Sequence, residues 1–466
     1  MSSGRGPSRR SFLIGLSLSL LLAISLMPAP EGLSLQGQRA LAIFAMAVVL
    51  WGTNALPLSV TGILVMAALP LLGVLDANEA YALFGNSAVF FILGAFILAA
   101  AMMKTGLSKR MALILLKRFD GSPGRLVAGV LLTSASMAFI MPEHAVAAIL
   151  FPVVVGIAES LDLEPLKSRY GALLFLSLAW GAIIGGIGTL LGGARNPLAL
   201  GLLNQYYGVK IGFFDWIVAA APLVAVMLLL AYGVLLISFR IDIGDVSSAR
   251  QVIEEELLEK GGVTEEESRV ALIMALTLLA WISLGNRIGL ANIALLASVL
   301  LFVLGVMEWK DVEDYVNWGV ILMYGGAISL GSALVSTGAA QWLAGILLTG
   351  SELTPVTFLV GLSLISKLLT EGISNVATVA MVLPIGFTIG SALGINPVAT
   401  VFIVALPSGL AFMLPMGTPP NAIAYSSGYY EVSEMIKPGL ILNILSWTVF
   451  IVMALIYWPA IGLRLL

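Results

Sequence analysis

The run LLTEGISNVATVAMVLP, Leu368 to Pro384, carries Thr370, Glu371, Ser374, Asn375 and Thr378 among apolar neighbours. Hydroxyl, amide and carboxylate oxygens at that density can coordinate a small cation or shape an anion site. In hydrocarbon each is costly unless partnered, so the group reads as functional. A second group, Met141-Pro142-Glu143-His144, lies in MPEHAVAAILFP. His144 is the sole histidine and there is no cysteine, which excludes a multi-histidine metal site, thiolate sites and disulfides. Glu143 beside His144 offers an acid/base pair, a proton-coupling group, or a structural hydrogen-bonded network with Arg195.

The two groups read as copies of one element. Pro142 stands ten residues before Pro152 and Ser374 ten before Pro384, with the copies 232 residues apart. A second pair of copies, GGARN at 192–196 and GTPPN at 417–421, is offset by 225 residues and aligns Arg195 with Pro420 and Asn196 with Asn421.

The elements that must position these residues cross a membrane. Of 466 residues, 59% are hydrophobic and 11% charged, and a net charge of −3 points to no nucleic-acid partner. The pattern predicts an all-α membrane protein with about 11 transmembrane helices plus two re-entrant hairpins, arranged as an inverted-topology repeat. Residues 1–36 form an N-terminal tail and first membrane helix. Its SRRSFL string resembles a twin-arginine signal but reads as the basic flank of an uncleaved span. Residues 37–240 form the first repeat, with a hairpin at 124–159. Residues 241–268, with EEELLEKGG and TEEES, read as a solvated cytoplasmic linker without a core. Residues 269–466 form the second repeat, with a hairpin at 354–392. Each hairpin is too long for one span of ~20 residues and too short for two. Interfacial pieces precede both hairpins, Leu107 to Arg118 in the first repeat and a stretch ending at Gly350 in the second. This topology puts 17 of the 23 Lys and Arg on the cytoplasmic side, with Arg39, Lys210, Arg287 and Arg464 outside and Arg195 and Lys367 within the membrane. The N-terminus is then cytoplasmic and the C-terminus outside, in a bacterial inner membrane.

Paired hairpins and paired broken helices describe a secondary transporter with its site at the midplane. Half-helix N-termini there favour an anion. Carbonyls with Asn and Ser side chains suit sodium.

Ser374-Asn375, with Pro384 following and GTPPN at 417–421, resembles the divalent anion/sodium symporter family, whose members carry di- and tricarboxylates or sulfate. The likeness runs from GNSAVFFILGAF at 85–96 to GTPPNAI. It implies a Ser-Asn-Thr triplet at each hairpin tip, with Asn and Thr contacting substrate and one sodium clasped per repeat. Carried onto this chain, the implied substrate positions are Glu143, His144, Arg195 and Asn196 in the first copy, and Ser374, Asn375, Val376, Thr418, Pro419, Pro420 and Asn421 in the second. Thr370, Ser374, Asn375 and Gly417 are the candidate sodium residues, and Glu143, His144, Arg195 and Glu371 the candidate coupling residues. The chain departs from the family at Val376, where a Thr is lost, and at Pro142-Glu143-His144, where the whole triplet is lost. With Arg195 beside it, the first sodium site reads as lost, the guanidinium standing in for the ion's charge.

The expected function is secondary active transport of small organic dianions, of C4-dicarboxylate or 2-oxoglutarate type, by sodium-independent exchange or with reduced sodium coupling. Sodium-coupled dicarboxylate or sulfate symport is the alternative, and a membrane-embedded enzyme using Glu143 and His144 a distant one. No cofactor is expected beyond sodium as a coupling ion. The expected partners are a small anion, membrane lipid and, as the resemblance implies, a second copy in a homodimer. Lys367 and Glu371, four apart, pair with each other or leave Glu371 to support the tip. Gly185-Gly186 and Gly325-Gly326 read as close helix packing, and Trp447 and Trp458 as interface anchors or lipid-facing bulk.

Overall fold

The computed structural model describes residues 9–348 and 353–466, and every regular element among them is helical. Residues 1–8 and Gly350, the expected end of the second interfacial piece, lie outside the described residues. Eleven of the described helices are long and apolar enough to cross a membrane.

A first helix, α1 (Arg9–Leu26), precedes ten elements of repeat one: α2 (Leu35–Thr53), α3 (Leu58–Leu71), α4 (Ala77–Ala82), α5 (Ser87–Lys104), α6 (Leu107–Leu116), α7 (Pro123–Ala138), α8 (Glu143–Ser160), α9 (Arg169–Gly186), α10 (Arg195–Tyr207) and α11 (Phe213–Ser238). After a linker helix, α12 (Ser247–Lys260), the same order returns as α13 (Glu265–Ile288), α14 (Leu290–Val303), α15 (Trp309–Tyr315), α16 (Trp318–Ser336), α17 (Ala339–Leu348), α18 (Pro355–Gly372), α19 (Asn375–Ala392), α20 (Pro397–Ala405), α21 (Pro419–Tyr425) and α22 (Val432–Val452).

Local sequence explains the repeated boundaries. Both hairpins open on a hydroxyl N-cap followed by proline at the first helical position, Ser122-Pro123 and Thr354-Pro355. Their second arms begin at Glu143 and Asn375 and carry an internal proline at the same depth, Pro152 and Pro384.

Packing follows the same symmetry. Helix α3 crosses α16 where a Cβ on Gly326 would lie 2.5 Å from the Gly62 Cα, and α5 crosses α14 where a Cβ on Gly94 would lie 2.7 Å from the Ala294 Cβ. Gly62 and Ala294, like Gly94 and Gly326, are repeat-mates, so both crossings need a small residue at one level. Helix α9 fills the centre and is buried along nearly its whole length.

The linker differs from expectation. Residues 247–260 are helical, with Ala249 and Ile253 buried, and the charges expected to be solvated meet partners. Lys109 pairs with Glu256 at 3.0 Å, Lys117 with Glu254 at 3.3 Å and Arg250 with Asp120 at 3.5 Å. Beneath them Glu267, fully buried, accepts from Arg110 at 2.9 Å and Lys260 at 2.7 Å. The apolar residues Ala249, Ile253 and Leu257 recur at helical spacing, and this weak stripe docks only because the basic face of α6 lies alongside. Trp458 also differs: it is fully buried, with its indole N–H donating to Ala219 O, while the Trp447 indole donates to Ser363 Oγ.

Candidate functional site

Both breaks are built by one device. The Asn196 amide donates to Gly186 O at 3.0 Å and Thr189 O at 2.7 Å, stapling the turn between α9 and α10. The Asn421 amide donates to Ala411 O at 3.0 Å and Leu414 O at 3.3 Å, at positions 225 residues later in each case. Unwound backbone in a membrane needs its polar groups satisfied within the protein, and each asparagine does this for two carbonyls. Glycines let each break meet its hairpin: a Cβ on Gly192 would lie 2.4 Å from Ala138 O, and one on Gly417 would lie 3.3 Å from Thr370 O.

The two hairpin tips meet. Glu143, at the start of α8, is buried, and its Oε1 accepts from Arg195 Nη1 at 3.0 Å. The Asn375 amide, at the start of α19, lies 3.4 Å from the same carboxylate oxygen and 3.1 Å from Arg195 Nη1. A Cβ on Gly186 would lie 2.1 Å from Glu143 Oε2, so this glycine makes room for a carboxylate as well as for a helix. The Tyr324 hydroxyl, from α16, donates to Ala194 O and fixes the turn that presents Arg195.

On its other side Asn375 faces an oxygen cluster. Thr370 Oγ1 lies at 2.6 Å, Gly417 O at 3.1 Å and Ser408 O at 3.2 Å from one end of the amide. With its NH2 group turned to this cluster, Asn375 donates to these oxygens and its Oδ1 accepts from Arg195. Turned the other way, Oδ1 joins three further oxygens in a group that a small hard cation reconciles.

The unwound segment before α21 is held from two sides. The Glu371 carboxylate accepts from the backbone N–H groups of Phe412 (2.8 Å), Met413 (3.1 Å) and Leu414 (3.2 Å) and from the Asn443 amide (2.6 Å). Lys367 donates to Leu410 O at 2.6 Å and lies 5.4 Å from the Phe412 ring centroid. Lys367 and Glu371 thus each bind the segment, rather than forming a direct ion pair with each other among the described residues.

Other candidate residues fall in differing places. His144 is half-buried and sets its ring edge-on to Phe96 of α5, 6.3 Å between centroids, apart from the Glu143–Arg195 pair. Ser374 N-caps α19 with its carbonyl accepting from Thr378, and Val376 is buried behind it. Thr418 caps α21 by accepting from the Asn421 N–H at 3.4 Å. Pro419 is exposed and Pro420 buried. The residues that sequence reasoning missed are Ser408, Gly409, Asn443 and Tyr324. PSG at 407–409 offered a signal, since proline followed by glycine interrupts a helix, but a carbonyl ligand leaves no mark in side-chain type.

Two inverted copies that bring paired hairpin tips and paired broken helices to one buried centre define a secondary transporter. The family model described as the sodium:sulfate symporter transmembrane region matches residues 11–464, and the chain belongs to that family. A sodium-dependent dicarboxylate transporter of Staphylococcus saprophyticus, SdcS, is 29% identical over 477 residues, covering 96% of this chain and 92% of the relative. SdcS of Staphylococcus aureus strain USA300 is 29% identical over 488 residues, covering 99% and 94%. Among solved structures, Neisseria gonorrhoeae MtrF, of a class of antimetabolite efflux pumps, superposes with a TM-score of 0.55 at 15% identity, covering 97% of this chain and 96% of that one. The Alcanivorax borkumensis YdaH transporter gives 0.53 at 14%, covering 97% and 98%. These two carry the fold alone. The family is one of transporters, so the chain is a transporter and the enzyme reading of Glu143 and His144 is set aside.

Proposed function

We propose that this protein imports small organic dianions of the C4-dicarboxylate class, driven by sodium bound among Thr370 Oγ1, Asn375 Oδ1, Ser408 O and Gly417 O. The convergence of Thr370 Oγ1, Ser408 O and Gly417 O on one end of the Asn375 amide, which an ion would turn to present Oδ1, carries the reading. A set of neutral oxygens of this kind suits sodium, and the facing N-terminus of α19 favours a bound carboxylate. The relatives named as sodium-dependent dicarboxylate transporters support the sodium-coupled alternative over sodium-independent exchange. Loss of the threonine at Val376 removes a substrate contact and leaves the ion oxygens in place.

In the proposed cycle the ion fills the cluster and turns the Asn375 amide, which releases an Arg195 donor for the substrate. Glu371 and Lys367 keep the carbonyls of the unwound segment aimed at the ion. The protein works in a bacterial inner membrane with its N-terminus in the cytoplasm, as a homodimer joined through helices of the α2–α5 and α13–α16 scaffold.

The test is uptake of labelled succinate, 2-oxoglutarate and sulfate into proteoliposomes, with an inward sodium gradient or with unlabelled internal substrate. Sodium-driven accumulation of a dicarboxylate into empty vesicles is expected. Uptake that needs internal substrate and ignores sodium would make the protein an exchanger and overturn the reading.

A further inference from the structure

The turn between α13 and α14 lies at the face of the protein opposite the linker helix, because α13 runs 24 residues, about 36 Å, away from that helix. A cavity of about 390 Å³ opens there, a volume within the range of ligand-holding pockets, about 300–1,000 Å³. One wall is α10 with the segment leading to α11, and the other is the start of α5 with the α13–α14 turn. The walls meet where the Asn86 amide donates to Gly201 O at 3.4 Å and where a Cβ on Gly201 would lie 2.6 Å from the Ala88 Cβ.

The mouth of the cavity is basic. Lys210 comes from one wall and Arg287 from the other, both are exposed, and neither charged end has a partner among the described residues. Asp215 is the one acidic residue in 204–215 and 284–292. Its carboxylate accepts from the Gly212 N–H at 3.0 Å and lies outside the cavity wall. Gly289, with a φ of 93°, turns the chain between α13 and α14, and the first turn of α14, whose N–H groups have no intrahelical acceptor, lines the same cavity. Two unpaired cations beside a helix N-terminus attract an oxyanion.

The interior is apolar. Pro197, Leu200 and Asn204 fall on one face of α10, so the cavity follows that helix for about 10 Å, from its C-terminal end towards the break. Phe91, Leu190 and Leu290 add to this wall. The hydrocarbon of one leaflet is about 15 Å deep, so the crevice has the length and the lining for the upper part of an acyl chain. A dianion passing along it would lose its hydration to apolar side chains without recompense. Ile288 in the wall and Leu284 one turn before it are exposed on α13, an apolar surface that joins the crevice to the surrounding lipid.

We infer that this crevice binds one anionic glycerophospholipid, with its phosphodiester between Lys210 and Arg287 and one acyl chain along α10, bracing α10 against the α13–α14 turn. The inference goes beyond the transport reading and does not depend on sodium coupling.

The experiment is native mass spectrometry of the purified full-length protein in detergent, titrated with dioleoyl phosphatidylglycerol, dioleoyl phosphatidylcholine, glycerol phosphate or succinate. The first phosphatidylglycerol should bind at least about tenfold more tightly than phosphatidylcholine. Lys210→Gln with Arg287→Gln should abolish that preference, whereas Arg464→Gln, which removes an exposed cation elsewhere, should leave it unchanged. Leu200→Trp keeps both cations and fills the apolar part, and should weaken phosphatidylglycerol binding about tenfold. Equal affinity for the two lipids in the wild type, or a preference that survives loss of both cations, would overturn the inference. Unchanged binding in Leu200→Trp would show lipid held at the surface by charge alone, and would overturn it as well. Glycerol phosphate or succinate binding as tightly as the lipid would make this a small-anion site and remove the acyl chain from it.

Discussion

Glu143 and Asn375 occupy equivalent positions of two inverted repeats, 232 residues apart, and their side chains meet at 3.4 Å. The two-fold relation of the repeats therefore passes through the site, and the site is asymmetric only in chemistry. One tip presents a carboxylate paired with an arginine, the other an amide beside an oxygen cluster.

The carboxylate and the arginine stabilise each other only as a pair. Removing one partner of a buried ion pair leaves an uncompensated charge, at a cost of about 3–5 kcal/mol. Glu143→Ala should lower the thermal midpoint of the purified protein markedly, and the double change of Glu143→Gln with Arg195→Met should recover much of the loss. Equal losses in the single and double variants would show that the pair contributes nothing beyond packing.

Thr370 contributes the one hydroxyl of the oxygen cluster. Thr370→Val keeps the shape and deletes that oxygen. We expect the half-saturating sodium concentration to rise about tenfold, equivalent to about 1.4 kcal/mol, with maximal succinate uptake at saturating sodium close to that of the wild type. Sodium titration of initial uptake rates measures this, and an unchanged titration would remove Thr370 from the ion site.

Glu371 holds three consecutive backbone N–H groups and the Asn443 amide, so its charge serves the unwound segment. Glu371→Gln should cost about 1–3 kcal/mol of stability by weakening those charge-assisted bonds. It should also weaken sodium binding, because Gly417 follows the same segment. Thermal unfolding with and without sodium checks this: the sodium-dependent gain in midpoint should shrink.

Arg110 ties α6 to the start of the second repeat. It donates to Glu267, to Gly261 O at 2.9 Å and to Gly262 O at 2.9 Å. Arg110→Met strands the Glu267 carboxylate with Lys260 alone and frees the glycine turn. Limited proteolysis should then cut near Gly261 and Gly262 much faster than in the wild type, and unchanged cleavage would show that the linker helix is held by its apolar stripe instead.

Much of this was legible in the sequence because membrane burial writes itself into composition. Long apolar stretches announced the helices, and the recurrence of MPEHAVAAILFP as ISNVATVAMVLP announced the repeat. The pairing of Glu143 with Arg195 was also within reach, since two opposite charges in hydrocarbon have few other partners. The linker was misjudged for the converse reason: Glu254 and Glu256 look solvated until the basic face of α6 is placed beside them.

The amino-acid sequence by itself determined the helices, the two breaks and the replacement of one tip motif by Glu143 and His144 with Arg195 opposite. These are properties of residue type and spacing, which hydrophobicity and backbone propensity translate directly. Only the tertiary structure decided which groups face one another. It turned His144 towards Phe96 and away from its neighbour's ion pair, gave Lys367 and Glu371 separate holds on one segment, and brought Ser408 O and Gly417 O to Asn375. Every residue carries a carbonyl, so sequence cannot tell which carbonyls converge. That depends on contacts between elements far apart in the chain, made only when both repeats have folded against each other.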